Sequence, residues 1–264
     1  MAEPTGGITT EAPNLISLLA EKVGETPLGS FLHHFEDVLF SGVAVVLLLV
    51  GARYALRRKA RIPAGIQNGV EAVLEGLDTF ICGILGPHGR PFVPYLGTLF
   101  LYILTMNMMG LVPGMRSPTA NINTTIALAL TVFLTVQWTA IRKIGLRGYL
   151  DHLMMRPRTL PMMIFGLVTL PIMLLLEVLL PPVTLSLRLR GNIFGEDTMI
   201  AIFLFFGVLF GGFLGLPIGI PLHLPFMFLS LLLGTIQALV FTLLATIYLS
   251  MVLPHEETAP HEAH

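Results

Sequence analysis

From about Leu160 to Phe210 the chain stays apolar, and near the middle of that run stands Thr184-Leu185-Ser186-Leu187-Arg188-Leu189-Arg190-Gly191-Asn192-Ile193-Phe194-Gly195-Glu196-Asp197. A helix of roughly 50 residues is about 75 Å long, against a hydrocarbon core of about 30 Å. A guanidinium at mid-bilayer costs roughly 2.5–3.5 kcal/mol even on the lenient insertion scale. Packing alone does not account for two of them beside two carboxylates. In a helix, side chains four apart stack on one face. Thr184, Arg188, Asn192 and Glu196 then form one polar stripe, and Arg190 and Asp197 fall on another. Any fold of this chain has to keep that stripe away from lipid.

Composition sets the solvent. The 264 residues are 54% hydrophobic and 12% charged, with a mean hydropathy of +0.82, where soluble domains carry about 25% charge. The chain reads as an integral membrane protein. A net charge of −1, with no basic cluster interleaved with aromatics, gives no sign of nucleic-acid binding. A single cysteine, Cys82, excludes an intrachain disulfide framework and a cysteine-based metal site. His33, His34, His255, His261 and His264 lack zinc-ligand spacing, so neither metal nor cofactor is expected.

Residues 1–37 are polar and acidic, without the basic region and apolar core of a cleavable signal, and carry a possible short amphipathic helix over 14–32. Spans are predicted at 38–54, 94–112 and 124–141. Between the first two, residues 65–85 place Glu71, Glu75 and Asp78 on one helical face and Val70, Val73, Leu74, Leu77 and Ile81 on the adjoining one. That pattern suits a helix lying in the membrane interface, and equally one packed on other protein. Arg53, Arg57, Arg58, Lys59 and Arg61 follow the first span, and Arg142, Lys143, Arg147, Arg156 and Arg158 follow the third. With Arg90, eleven of the fifteen Lys and Arg fall on one side, which the positive-inside rule makes cytoplasmic. The N-terminus is then outside. Parity over five crossings puts the polar tail, 254–264, in the cytoplasm.

The final hundred residues break the usual length rule. Residues 222–253 would make a helix of nearly 50 Å, which needs a tilt of roughly 50° to stay within the hydrocarbon, beyond the common range. Pro171, Pro181 and Pro182 could kink the 160–210 segment or divide it into two spans. Division would leave an apolar turn beside lipid with unsatisfied backbone groups. The expected fold is therefore all-α. It has five crossing segments and an interfacial helix, and the last two crossings form a hairpin of long, steeply tilted helices that suits the side of a curved or rotating partner.

Arginine keeps its proton in proteins, so Arg188 acts as a fixed charge rather than a relay. Such a charge strips protons from carboxylic acids brought beside it and blocks direct leakage. Asn192, Glu196 and Asp197 lie on one side of it along the helix and Glu177 on the other, the layout of two offset half-channels. The alternative is that Arg188/Glu196 and Arg190/Asp197 neutralise each other as buried ion pairs, although seven residues separate the second pair by about 10 Å along the axis. Ser230 and Gln237, also seven apart, draw a polar line on the last helix.

Leu185-Ser186-Leu187-Arg188-Leu189 with Gly191-Asn192-Ile193-Phe194 resembles the arginine motif of subunit a of F-type ATP synthases. Asn107 with Gly110-Leu111-Val112-Pro113 is similar to that family's second-span motif. Ser117-Pro118-Thr119-Ala120-Asn121 with Asn123-Thr124 resembles the loop entering its third span. Gln237 with Thr246-Ile247-Tyr248-Leu249-Ser250 resembles its last helix. The resemblance covers the chain from about Phe31 to Met251, with four motifs in order within it. The resemblance implies a non-catalytic stator subunit in a bacterial-type inner membrane, beside a c-ring, a b-subunit stalk and the rest of the FoF1 complex, with proton or Na+ flow driving the ring. It implies Arg188 as the essential arginine, Asn192 and Asp197 lining the outer half-channel, and Gln237 facing Arg188. Arg190 departs from the family, which has an apolar residue there, so its role is open. Asp197 stands where a glutamate is commoner, Ser230 where a histidine or glutamate often completes the outer channel, and Glu177 one turn later than the usual glutamate. A free-standing transporter or channel would favour internal repeats, which this sequence lacks. An intramembrane enzyme would need a base that Ser186 does not have nearby.

Overall fold

The computed structural model describes residues 16, 22, 31, 34–56, 65–154, 168–213 and 219–253. The amphipathic helix expected over 14–32 lies almost wholly outside them, as does the whole tail, 254–264. The elements are helical throughout the described residues: α1 (Glu36–Leu56), α2 (Ile66–Leu85), α3 (Val93–Met109), α4 (Ile122–Leu153), α5 (Leu180–Phe213) and α6 (Leu224–Val252). Among the described residues, five helices are long and apolar enough to cross a membrane: Glu36–Ala55, Gly89–Met109, Ile122–Lys143, Val168–Phe213 and Leu224–Val252. These are the five crossings expected, and α2 is not among them.

The fold is organised on α3, which packs against α1, α2 and α6. Leu96, Leu99, Phe100, Ile103, Met106 and Asn107 recur every three or four residues and are all buried. That stripe is the core-facing side of a helix. From α6 it meets Gly234, which lies against Asn107, and Gly234, Ala238, Thr242 and Thr246 repeat every fourth residue as buried small residues. Lipid supplies no hydrophobic drive between helices, so small residues that let backbones approach closely do that work. Thr242 and Thr246 each donate their hydroxyl to the carbonyl one turn back, and so enter the core without an orphaned polar group. On α2, Leu77, Ile81 and Leu85 are buried while Val70, Val73 and Leu74 remain exposed. One side of its apolar face is thus taken by protein and the other left open.

One end of the bundle is closed by a polar cluster that joins distant parts of the chain. Arg116, in the α3–α4 connection, lies 3.9 Å from Glu36 and 3.7 Å from Asp37 at the start of α1. Asn121 donates to Asp37, and Ser41 on α1 shares a hydrogen bond with Tyr102 on α3. Glu36 and Asp37 also sit in the first turn of α1, and Arg53 in its last, in keeping with the helix dipole.

The long penultimate helix is not divided at its prolines. Val168–Phe213 is one helical segment of 46 residues, about 69 Å at 1.5 Å per residue. A π-helical stretch, Leu174–Leu179, stands directly before Pro181 and Pro182. The missing proline N–H groups would have bonded the carbonyls of residues 177 and 178, and a wider turn absorbs that gap without ending the helix. In α4 the helix runs past the expected end of its span. Gly145, with φ +76°, turns the chain there, and a second helical piece continues to Leu153 where a basic loop was expected. The left-handed φ is accessible to glycine at no steric cost, which explains a kink in place of a loop.

α5 and α6 form an antiparallel hairpin in one register. Phe203 stacks on Phe226 with centroids 3.8 Å apart, and Ile220 N–H donates to Gly207 O at 2.9 Å. A Cβ on Gly207 would sit 2.1 Å from Ile220 O, a backbone atom that cannot move aside. Gly207→Val is therefore expected to destabilise the hairpin by about 1–3 kcal/mol, as overpacking does elsewhere. Thermal unfolding of the purified complex checks it, with Gly191→Ala, which meets nothing within 4 Å, as the tolerated control.

Candidate functional site

The site is built on the hairpin, with α3 behind it. On α5 the buried stripe is Leu185, Ser186, Leu189 and Ile193, facing the bundle. At 3.6 residues per turn, Arg188 and Arg190 flank that stripe on opposite sides, about 160° apart. Both are exposed on this chain. Among the described residues neither makes an ion pair, the recorded pairs being those of Arg116. The structure therefore does not form the pairs Arg188/Glu196 and Arg190/Asp197 that a purely structural reading required. Ser186 bonds its own helix, donating to Val183 O at 3.0 Å, and Thr184 does the same to Leu180 and Pro181.

One turn beyond Arg188, Asn192 Nδ2 donates to Gln237 Oε1 at 2.7 Å. This bond crosses from α5 to α6 and brings together two residues 45 positions apart. Gln237 is buried, and its Nε2 has no partner among the described residues. One turn further along α5, Glu196 faces Ser230 of α6 across the seam, with Asp197 next to it in the chain. Glu196 Oε1 is buried and unpartnered in the same way. Two unsatisfied polar atoms at one helix–helix seam mark a place for water or a passing ion rather than a dry ion pair. The backbone of Glu177 lies in the π-helical stretch two to three turns before Arg188, and its side chain is outside what is described.

Asn107 has a different part. Its Nδ2 donates to Gly234 O at 2.9 Å, and its Oδ1 accepts from Thr119 Oγ1 at 2.9 Å. Ser117 Oγ lies 2.7 Å from Thr119 Oγ1 and 3.1 Å from Met106 O. Since Thr119 spends its proton on Asn107, the single Ser117 proton is shared between those two acceptors. The amide thus pins α6 to α3 and to the loop that follows it. A Cβ on Gly234 would come 3.3 Å from Asn107 Cβ, so the glycine makes room for the amide. Sequence reading picked out Asn107 but not Gly234, whose only signal was a small residue in the Gly234-Ala238-Thr242-Thr246 repeat.

A second residue missed from the sequence is His223, at the start of α6. Residues 223, 230 and 237 are spaced by seven, so His223 extends the Ser230–Gln237 line to the end of the helix. Its Nδ1 is buried without a partner among the described residues.

A family profile described as ATP synthase A chain matches residues 38–250. The ATP synthase subunit a of Protochlamydia amoebophila is 41% identical over 258 residues, 97% of this chain and 93% of that one. Its counterpart in Solidesulfovibrio magneticus is 38% identical over 247 residues, 91% of this chain and 95% of that one. That of Moorella thermoacetica is 38% identical over 217 residues, 82% and 89%. The chain belongs to the ATP synthase subunit a family. It is accordingly a non-catalytic, ion-translocating subunit of the membrane stator of a rotary complex, with the c-ring and the rest of that complex as partners.

Asn107→Leu in this subunit a is expected to lower stability by about 1–3 kcal/mol, because it removes both bonds that tie α6 to α3 and the following loop, those to Gly234 O and from the Thr119 hydroxyl. A thermal melt of the complex measures it, and Thr119→Val should cost less, since it removes one bond and leaves the other.

Proposed function

We propose that Arg188 is the fixed cation at which each carboxylic acid of a neighbouring c-ring gives up its proton, and that it separates two offset half-channels. The observation that carries this reading is that Arg188 is exposed on the hairpin and takes no anionic partner from the described residues of its own chain. A guanidinium cannot shed its charge, so in the membrane it calls for an anion supplied by another subunit. The outer half-channel follows the α5–α6 seam, where Asn192 and Gln237, then Ser230 and Glu196 with Asp197, line the way to the outside. Glu196 takes the place of the titratable group that Ser230 lacks, an assignment supported by their juxtaposition. Glu177 belongs to the inlet on the other face. Asn107 serves the path indirectly, by fixing α6 against α3.

The domain reading is an external segment 1–37, a membrane domain 38–253 with α2 along the interface, and a cytoplasmic tail 254–264. The N-terminus is outside and the C-terminus inside a bacterial inner membrane, as the distribution of Lys and Arg supports. The b-subunit stalk docks on this chain as part of the same stator. The hairpin lies steeply tilted against the ring, because a helix of 46 residues is more than twice the length an upright crossing needs.

Arg188→Ala is expected to abolish ATP-driven proton pumping in inverted membrane vesicles while the ring still copurifies with the subunit. Normal pumping by that variant would remove the fixed-charge role. In the same assay Asp197→Asn slows pumping and Glu196→Gln with Asp197→Asn slows it further. A double variant as fast as the parent would take both carboxylates out of the path.

A further inference from the structure

We infer that His223 is the outermost proton-exchanging group of the outer half-channel, the point at which protons pass between the external water and the α5–α6 seam. This inference rests on the path proposed above and extends it beyond Glu196.

Four observations bear on it. First, His223 shares one face of α6 with Ser230 and Gln237, because 223, 230 and 237 are each two turns apart. Second, its side chain does none of the work usual at a helix start: it makes no capping hydrogen bond, although its carbonyl accepts from Phe226 and Met227 N–H at 3.0 Å. Third, its Nδ1 is buried without a partner among the described residues, as are Glu196 Oε1 and Gln237 Nε2. Fourth, the backbone there is held rigidly, with Ile220 bonded to Gly207 and Phe226 stacked on Phe203. The backbone of His223 is therefore held at that end of the seam.

The three unsatisfied groups fall in order along the hairpin, from the outer turn to the level of Arg188. His223 stands about 10 Å outward of Ser230 along the helix axis, a gap for a short file of water. Imidazole has two ring nitrogens, so one can accept a proton while the other gives one up. A proton arriving from the external water binds one ring nitrogen, and the proton on the other nitrogen leaves toward the Glu196 carboxylate. The ring ends neutral with its tautomer exchanged, and one rotation of the imidazole resets it. No other reactant is required. Ser230, whose hydroxyl does not titrate, sits between the two proton-holding groups as a hydrogen-bonding step.

The test uses the assembled complex in inverted vesicles, comparing ATP-driven pumping by the parent, His223→Ala, His223→Gln, Glu196→Gln and Arg188→Ala, with and without added free imidazole. His223→Ala and His223→Gln are expected to pump about tenfold more slowly, less than the roughly 10²–10⁴-fold of an acid–base group in a chemical step, because water still reaches the seam without the imidazole. Free imidazole should restore much of the rate to His223→Ala and none to Arg188→Ala. Unchanged pumping in both His223 variants, alongside slowed pumping in Glu196→Gln, overturns the role of His223 and leaves the half-channel standing. A loss in His223→Ala that imidazole does not restore also overturns it, since a merely structural imidazole would give that result. Normal pumping by Arg188→Ala sinks the underlying path itself.

Discussion

A charge that cannot be neutralised, placed where water is scarce, governs everything else in this chain. Lysine, histidine or a carboxyl group could escape the membrane's low dielectric by changing protonation state, but arginine cannot. Arg188 must therefore meet water, an anion, or both. Among the described residues the subunit offers it no ion-pair partner, and the helix that bears it turns its apolar stripe, Leu185, Leu189 and Ile193, toward the bundle. The cation is left on the flank that a partner can reach. The subunit is thus electrostatically incomplete by itself, which suits a stator whose charge partner arrives on a moving ring.

The remainder of the fold keeps that flank in position. Small residues every fourth place on α6 let it lie close to α3, and the Thr119–Asn107–Gly234 bonds fix its height. The Asn192–Gln237 bond then fixes α5 against α6 one turn from Arg188. At the hairpin turn, Gly207 admits a backbone contact that any Cβ would block. Polar bonds between membrane helices are individually modest, on the order of 0.6 kcal/mol in measured cases. Their value here is geometric, because a proton path tolerates little misalignment between successive groups.

Much of this was readable in the residues, for physical reasons that differ by region. Helix lengths and the count of crossings follow from hydrocarbon thickness, and the sequence pattern around Arg188 carries the motif directly. Pro181 and Pro182 were ambiguous, because sequence alone does not reveal that a π-helical turn at Leu174–Leu179 absorbs the lost hydrogen bonds. Gly145 was passed over for the same reason: glycine in a helical pattern is tolerated, and only the backbone angle shows that it turns the chain. Contacts between distant segments left no local signal. The Arg116 cluster with Glu36 and Asp37 joins residues about 80 apart, and Gly234 gained meaning only as the partner of Asn107. His223 could have been found by carrying the seven-residue spacing of Ser230 and Gln237 one step back.

The most direct test of the fixed-charge barrier is passive proton flux through the membrane sector with the ring immobilised by a cross-link to this subunit. With rotation arrested, the two proposed half-channels could exchange protons only across the position of Arg188. The account predicts no flux above background in the parent and a clear leak in Arg188→Gln. An arrested Arg188→Gln sector as tight as the parent would contradict it.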